Sequence, residues 1–406
     1  MKIVGLITEY NPFHNGHRYH IKKAKEITGA DYCIAVMSGD FVQRGAPAFL
    51  PKHLRTEMAL HGGCDLVLEL PVCYATGSAE YFANGAISIL DNLGCVDAVC
   101  FGSECGDYKS LEKIAQVLAD EPCKYKNLLQ MNLKAGHSFP SARQLALETY
   151  FHDDNLTAII KEPNNILGIE YIKALILKNS SMTGYTITRE DSSYHDKELS
   201  ERYSSASSIR NIFQKHENAP SFDLLKGHLD KHAIRILKTN YKIRYPVFSD
   251  DFSLLLKYRL MTETKESLTT YVDITPDLAN RIINFRNQFI SITQFAELIK
   301  TKELTYSRIS RCLMHILLNI KECHLFMDTY AHVLGFKKDS TILFSEIKQF
   351  TQIPLMTKLT SLDSLNKEQQ TILRQDIFSS DLYESLVSDK FKKPFINELT
   401  KQLVKV

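Results

Sequence analysis

The chain reads as an α/β protein, with a doubly wound parallel sheet in its first half and a mostly helical second half. Three observations lead there. Short apolar runs of strand length alternate with segments of helical rhythm as far as Arg189. Turn residues and glycines cluster where those runs end, as they do in the loops of open α/β sheets. Past Pro220 the short Val- and Ile-rich runs give way to longer amphipathic patterns of Leu, Ile and Lys. A length of 406 residues accommodates a division into a core, residues 1–220, and a second domain, residues 221–406.

The expected strands are Ile3–Thr8, Tyr32–Met37, Leu66–Leu70, Ala98–Phe101 and Gly184–Arg189. Each is of strand length, and the first, Ile3-Val4-Gly5-Leu6-Ile7, is apolar throughout as a fully buried strand is. The helices between them are Gly16–Thr28, Lys52–Gly62, Ser78–Leu93, Ser110–Ala119, Ser141–Tyr150 and Gly168–Lys178. In the second half the periodicity predicts Leu224–Thr239, Asp251–Met261, Leu278–Phe285, Ile292–Lys300, Arg308–Asn319 and Gln369–Gln375.

The composition is that of a globular chain, 44% hydrophobic and 24% charged. A net charge of +2 makes the molecule no polycation, so a nucleic-acid surface has to be a local patch. Nine cysteines, an odd number without any Cys-x-x-Cys pair, read as buried free thiols in a reducing compartment. Met1-Lys2-Ile3-Val4 starts a strand and not a signal peptide, and no apolar run reaches membrane-spanning length. A cytoplasmic location without membrane contact is expected, and no resident metal site is expected.

The segment Glu9-Tyr10-Asn11-Pro12-Phe13-His14-Asn15-Gly16-His17 follows the first strand directly. A helix start offers unpaired N–H groups and about half a positive charge. Residues i and i+3 share a helix face, so His14 and His17 stand side by side there. Gly16 lets a ligand approach the backbone. The pattern suits nucleotide phosphates held while an α-phosphate is attacked. As a bare pair, two histidines in a first turn would only cap it.

Five further segments carry possible chemistry. After the second strand, Ser38, Gly39, Gln43 and Arg44 form a Gly-containing loop, with Lys52 and Arg55 one helix further on. These two face either a triphosphate or, more simply, solvent. Phe101-Gly102-Ser103-Glu104 ends the fourth strand and would let an adenine or ribose approach at Gly102. Asn164 and Asn165 cap a helix beside it. Tyr203-Ser204-Ser205-Ala206-Ser207-Ser208-Ile209-Arg210 gives a second helix start rich in hydroxyls with a guanidinium one turn in, an anion cradle with Arg189 at its rim. Arg308, Arg311 and His315 form one helical stripe, a solvated face or a contact for a phosphate backbone; Lys390, Lys392 and Lys393 are similar. There is no Gly-x-x-x-x-Gly-Lys-Ser/Thr loop, kinase signature or Gly-x-Ser-x-Gly elbow.

With those residues in hand the chain resembles the HIGH-type nucleotidyltransferase superfamily. His14-Asn15-Gly16-His17 looks like its first signature, and Ser207-Ser208-Ile209-Arg210 like a degenerate second one. More narrowly, it resembles the tRNA(Met) cytidine acetate ligase family. That likeness rests on residues 9–20, Met37-Ser38-Gly39-Asp40-Phe41, Gln43-Arg44-Gly45, residues 65–71, Phe101-Gly102-Ser103-Glu104 and Pro163-Asn164-Asn165. The resemblance implies a Rossmann-like parallel-sheet nucleotidyltransferase core followed by a mostly helical C-terminal domain that contacts tRNA. It implies an ATP-dependent ligase that activates acetate as acetyl-adenylate. The acetyl group then passes to the wobble cytidine of elongator tRNA(Met), giving 4-acetylcytidine. ATP is a substrate, with Mg²⁺ carried by the nucleotide. The implied ATP site is Ile7, Thr8, Glu9, Tyr10, Asn11, Pro12, Phe13, His14, Asn15, Gly16, His17, Arg18, Tyr19 and His20, with Gly102, Asn164 and Arg189. His14 and His17 would be catalytic, Ser207, Ser208 and Arg210 would take phosphates, and Arg308 and Arg311 would meet the tRNA. Two alternatives stand beside this reading: a small-molecule adenylyltransferase, and a non-catalytic nucleotide-sensing scaffold.

Overall fold

The computed structural model describes residues 1–189, 205–215, 222–326, 329–360 and 362–406. Among the described residues ten strands form in chain order: β1 Ile3–Thr8, β2 Tyr32–Ser38, β3 Phe41–Val42, β4 Ala46–Pro47, β5 Leu66–Leu70, β6 Ala98–Ser103, β7 Thr183–Thr188, β8 Ala331–Phe336, β9 Leu355–Met356 and β10 Val404–Lys405. Eight of them make one sheet in the order β10-β8-β5-β2-β1-β6-β7, with β9 on β8. Its pairs are parallel except β5 with β8. The five strands expected from the sequence are its centre and one flank.

Alternate residues of each strand enter two separate cores. Ile3, Ile34, Leu66 and Val99 face one side, under helices Ala79–Asn92, Tyr108–Asp120 and Pro163–Leu177. Val4, Cys33, Ala35 and Cys100 face the other, under Asn15–Thr28, Lys52–Gly62, Ala206–Lys215 and Lys231–Asn240. Burial on both faces is why the central strands are mostly apolar. From β1 the chain steps to β2 on one side; after β5 it crosses to β6 on the other. That reversal opens a crevice over the carboxyl ends of β1 and β6.

The second half is mostly helical, as expected, but not wholly so. It is helical from Lys231 to Leu318, then returns β8, β9 and β10 to the sheet, across the expected boundary at residue 220. The boundary itself, residues 216–221, lies outside the described residues. Helix Lys367–Phe391 replaces the short Gln369–Gln375 expectation.

Lys52 and Arg55 face neither triphosphate nor solvent: both are fully buried. The Arg55 guanidinium donates to the carbonyls of Glu9 at 2.7 Å, Ser38 at 3.0 Å, Leu50 at 3.0 Å and, more closely still, Gly39. It ties the loops after β1 and β2 together. Lys52 Nζ sits 2.7 Å from Glu69, 2.9 Å from Glu398 and 2.8 Å from the Ser380 hydroxyl.

Candidate active site

The loop after β1 is fixed before any ligand arrives. Tyr10 takes a left-handed backbone with φ 47° and buries its ring, its hydroxyl 3.7 Å from Cys64 Sγ. The Asn11–Pro12 peptide is cis. Asn11 Oδ1 accepts the Phe49 amide at 2.7 Å. Pro12 and Phe13 are buried beneath the loop, and Arg18 is exposed on the helix's outer face. Asn15 donates to the Gly227 carbonyl at 2.7 Å. These four support the site or stand outside it.

His14 and His17 cap the helix Asn15–Thr28 reciprocally. His14 Nδ1 accepts the Gly16 amide at 3.1 Å, and His17 Nδ1 accepts the His14 amide at 3.2 Å. The rings stack with centroids 3.7 Å apart. Gly16 is needed for a reason the sequence reading did not contain: a Cβ there would stand 2.9 Å from His14 Cε1. Any side chain would push the cap aside. Burial, with Arg189, Arg210 and His228 nearby, pulls the His14 pKa down to about 3. Burial and the neighbouring His14, Arg189 and His20 hold His17 well below its usual value. Both imidazoles are therefore neutral at pH 7. With each Nδ1 accepting an amide, the proton sits on Nε2. The pair presents two neutral Nε2–H donors at a helix N-terminus.

Around them opens a cleft of about 1070 Å³ lined by Ile7, Thr8, Glu9, Tyr10, Asn11, His14, Gly16, His17, Tyr19 and His20. Gly102, Asn164, Arg189, Ser207 and Arg210 join them, so the two signatures meet. Arg210 donates to the Asn11 carbonyl at 2.5 Å and to Ser207 Oγ at 3.0 Å, which locks the second helix start onto the first loop. Burial, opposed by Glu9 and aided by Arg44, draws the Arg210 pKa down to about 10, still cationic at pH 7. Ser208 is buried behind, its amide held by Ser205 Oγ at 3.1 Å. Tyr203 and Ser204 lie outside the described residues.

One wall of the cleft stands over β6 and β7. The Arg189 side chain lies across Gly102. Glu104 accepts the amides of Asn164 at 3.1 Å and Asn165 at 2.7 Å, capping the helix Pro163–Leu177. Asn165 is buried and returns the bond to the Glu104 amide at 2.9 Å. Asn164 is the one of the pair that lines the cleft. Phe101 and Tyr171, ring centroids 5.5 Å apart, make this end apolar.

The opposite wall stands on the β2 side, and most of it was missed. Gln43 and Arg44 line it as read, with the Gln43 amide donating to Glu9 at 2.9 Å. Ser38 and Gly39 do not; their carbonyls face Arg55. Phe49, Val247, Phe248, Asp250 and Thr293 complete the wall. Tyr245-Pro246-Val247-Phe248, an apolar run after a proline, was the signal available.

Arg308 and Arg311 do not line the cleft. Arg308 donates to the Asp273 carbonyl at 3.3 Å and Arg311 Nε is 3.7 Å from the Asp273 carboxylate, while His315, the third member of the stripe, is fully buried between the carbonyls of Val272 at 3.0 Å and Thr76 at 2.9 Å. Gly45, with φ 70°, lets the β3–β4 hairpin press against this helix; a Cβ would be 2.2 Å from the Arg311 amide nitrogen. Among the described residues one cluster has metal-ligand types: Glu69, His332 and Glu398. The Lys52 ammonium already bridges its two carboxylates. No helix among the described residues is long and apolar enough to cross a membrane.

A sheet reversal headed by a histidine-capped helix, with a cationic second helix start facing it, defines the nucleotidyltransferase class. Consistently, the HIGH Nucleotidyl Transferase family matches residues 1–397. Among named relatives, the tRNA(Met) cytidine acetate ligase of Acetivibrio thermocellus is 41% identical over 392 residues, covering 94% of each chain. That of Thermoanaerobacter sp. (strain X514) is 41% identical over 389 residues, 94% of this chain and 95% of its own. Thermotoga maritima TmcAL bound with alpha-thio ATP superposes with a TM-score of 0.91 at 30% identity over the full length of both chains. The chain belongs to the tRNA(Met) cytidine acetate ligase family.

Proposed function

We propose that this enzyme joins acetate to ATP, forming acetyl-adenylate and pyrophosphate, then transfers the acetyl group to the wobble cytidine of elongator tRNA(Met). The observation that carries the reading is the pair of neutral Nε2–H donors, His14 and His17, at a helix N-terminus facing Arg210. Support for substrate choice comes from the names of the relatives and from the nucleotide analogue bound to the Thermotoga protein. Their match across the second half as well argues against a bare small-molecule adenylyltransferase. The intact histidines and Arg210 argue against a scaffold without chemistry.

In the first step an acetate oxygen attacks the α-phosphorus and the bond to pyrophosphate breaks. Charge grows on the non-bridging oxygens, where the two histidines donate without needing to gain or lose a proton. Arg210, Ser207 and the amides of helix Ala206–Lys215 would hold the leaving phosphates. Gly102, Asn164 and Arg189 would hold the nucleoside end. Mg²⁺ fits as a passenger of the triphosphate, neutralising its charge. The cleft carboxylates Glu104, Asp250 and Asp251 already accept backbone amides. The buried walls would keep water from the mixed anhydride. The reaction belongs in the cytoplasm, and the second part of the chain, residues 221–406, would receive the tRNA.

The test is incorporation of labelled acetate into elongator tRNA(Met) by purified protein with ATP and Mg²⁺. ATP-dependent label at the wobble cytidine is expected. Acetate-dependent ATP–pyrophosphate exchange without label would leave the activation step and overturn the acceptor.

A further inference from the structure

The nucleoside end of the proposed ATP site occupies only the β6–β7 wall of the cleft. Beyond Gln43 and Arg44 the β2-side wall has no part in that site, and it has its own construction. Phe248 precedes the short 3₁₀ turn Ser249–Phe252 and is only half-buried. Its ring leans on Phe49 with centroids 5.9 Å apart. Its amide is held by Asp251 Oδ2 at 2.8 Å, the same oxygen that takes Lys390 Nζ at 2.6 Å. The Lys390 ammonium stands 5.5 Å from the Phe248 ring centre. An aromatic side chain at a cleft wall is thus fixed by packing, an amide bond and a cation. Two residues on, Asp250 is exposed to the same cleft, one of its oxygens bonded to the Thr293 amide at 2.7 Å. Lys392 and Lys393 follow Lys390 on the surface.

We propose that this wall is the seat of the acceptor base, a pyrimidine that carries an exocyclic amine, with Phe248 stacking on its ring and Asp250 accepting an amine N–H. The inference rests on the ligase reading above. Aromatic rings hold unstacked bases through their faces, and a carboxylate is the side chain that accepts from the cytosine amine. A uracil presents a carbonyl at that position, which Asp250 repels. Lys390, beside Phe248 and Asp251, suits a phosphate next to an extruded nucleotide. In the transfer step the amine nitrogen bonds to the acetyl carbon and the acyl–phosphate C–O bond breaks. AMP leaves with the electron pair, and the amine proton passes to the Asp250 carboxylate.

The experiment compares wild type with Phe248→Leu, Phe248→Trp and Asp250→Asn in two assays: acetate-dependent ATP–pyrophosphate exchange, and acetyl transfer to tRNA over a range of tRNA concentrations. Phe248→Leu should raise the KM for tRNA about tenfold, the scale of one lost stacking contact, and Phe248→Trp should restore it. Asp250→Asn should lower kcat for transfer at least tenfold. Exchange should stay at the wild-type rate in all three. Variants that transfer normally, or that lose exchange and transfer together, overturn the seat and leave the ligase reading standing. A wild-type protein that gives no transfer to tRNA overturns that reading and the seat with it.

Discussion

Arg44 and Lys52 are both cations in the stretch that follows β2, and a sequence gives them similar standing. Arg44 lines the cleft beside Glu9. Lys52, one helix start later, is fully buried among Glu69, Glu398 and Ser380. Arg44 is exposed at the cleft wall, where a ligand can reach it. The cluster beneath cancels its own charge internally, and three carboxylates, Asp40, Glu69 and Glu398, hold the Lys52 ammonium protonated despite its burial. Which of the two roles a cation takes depends on partners, and the partners of Lys52 come from residues 69, 380 and 398.

The largest expected effect separates these regions. Lys52→Ala leaves two buried carboxylates facing each other and should cost about 3–5 kcal/mol of stability, read from urea denaturation. Arg44→Ala should change the urea midpoint little while weakening ATP use. If both variants unfold alike, the distinction between rim and cluster fails.

His14→Asn sharpens the comparison within the rim itself. Asparagine is a good N-cap, so the helix Asn15–Thr28 should keep its stability to within about 0.5 kcal/mol. The Nε2–H donor is lost, and exchange should fall about 10²- to 10³-fold. Loss of stability in step with loss of exchange would mean that His14 is a cap and nothing more.

The most gradual effect is in pH. Burial and Arg189 lower the His20 pKa from 6.5 to about 4. Between those values the unfolded chain binds the proton and the folded chain does not. Stability is therefore complete above pH 6.5 and declines as pH falls toward 4, by at most about 1.4 kcal/mol per pH unit for one histidine. His20→Gln should reduce the slope of the urea-midpoint profile in that range, leaving the share of His14 and His17. An unchanged slope would show that His20 is not desolvated.

The legible parts of the molecule were those specified by neighbours in sequence. β1, with a buried apolar run and a turn, appears at the bounds read for it, and His14, Gly16 and His17 occupy one helix start as their spacing requires. Asn164, Gly102, Arg189 and Arg210 come from four separate segments, yet each follows a strand or starts a helix, the places where open sheets gather ligands. β8 was illegible for the opposite reason. Ala331-His332-Val333-Leu334-Gly335-Phe336 is an apolar run of strand length, but it pairs antiparallel with β5, far away in sequence, amid helical surroundings. The β2-side wall was missed because Phe49 and Phe248 meet only after the chain has folded back.

The Lys52 cluster and the sheet edge also set an order of assembly. Synthesis proceeds from the N-terminus, so β5 leaves the ribosome long before β8, which covers its edge, and Lys52 long before Glu398, which completes its charge cluster. Until then the nascent chain carries a charged pocket and an open strand edge where β8 will dock. Such an edge invites pairing with other chains. The edge of β5 is therefore the part of this fold left open longest while the chain grows, and β8 is what closes it.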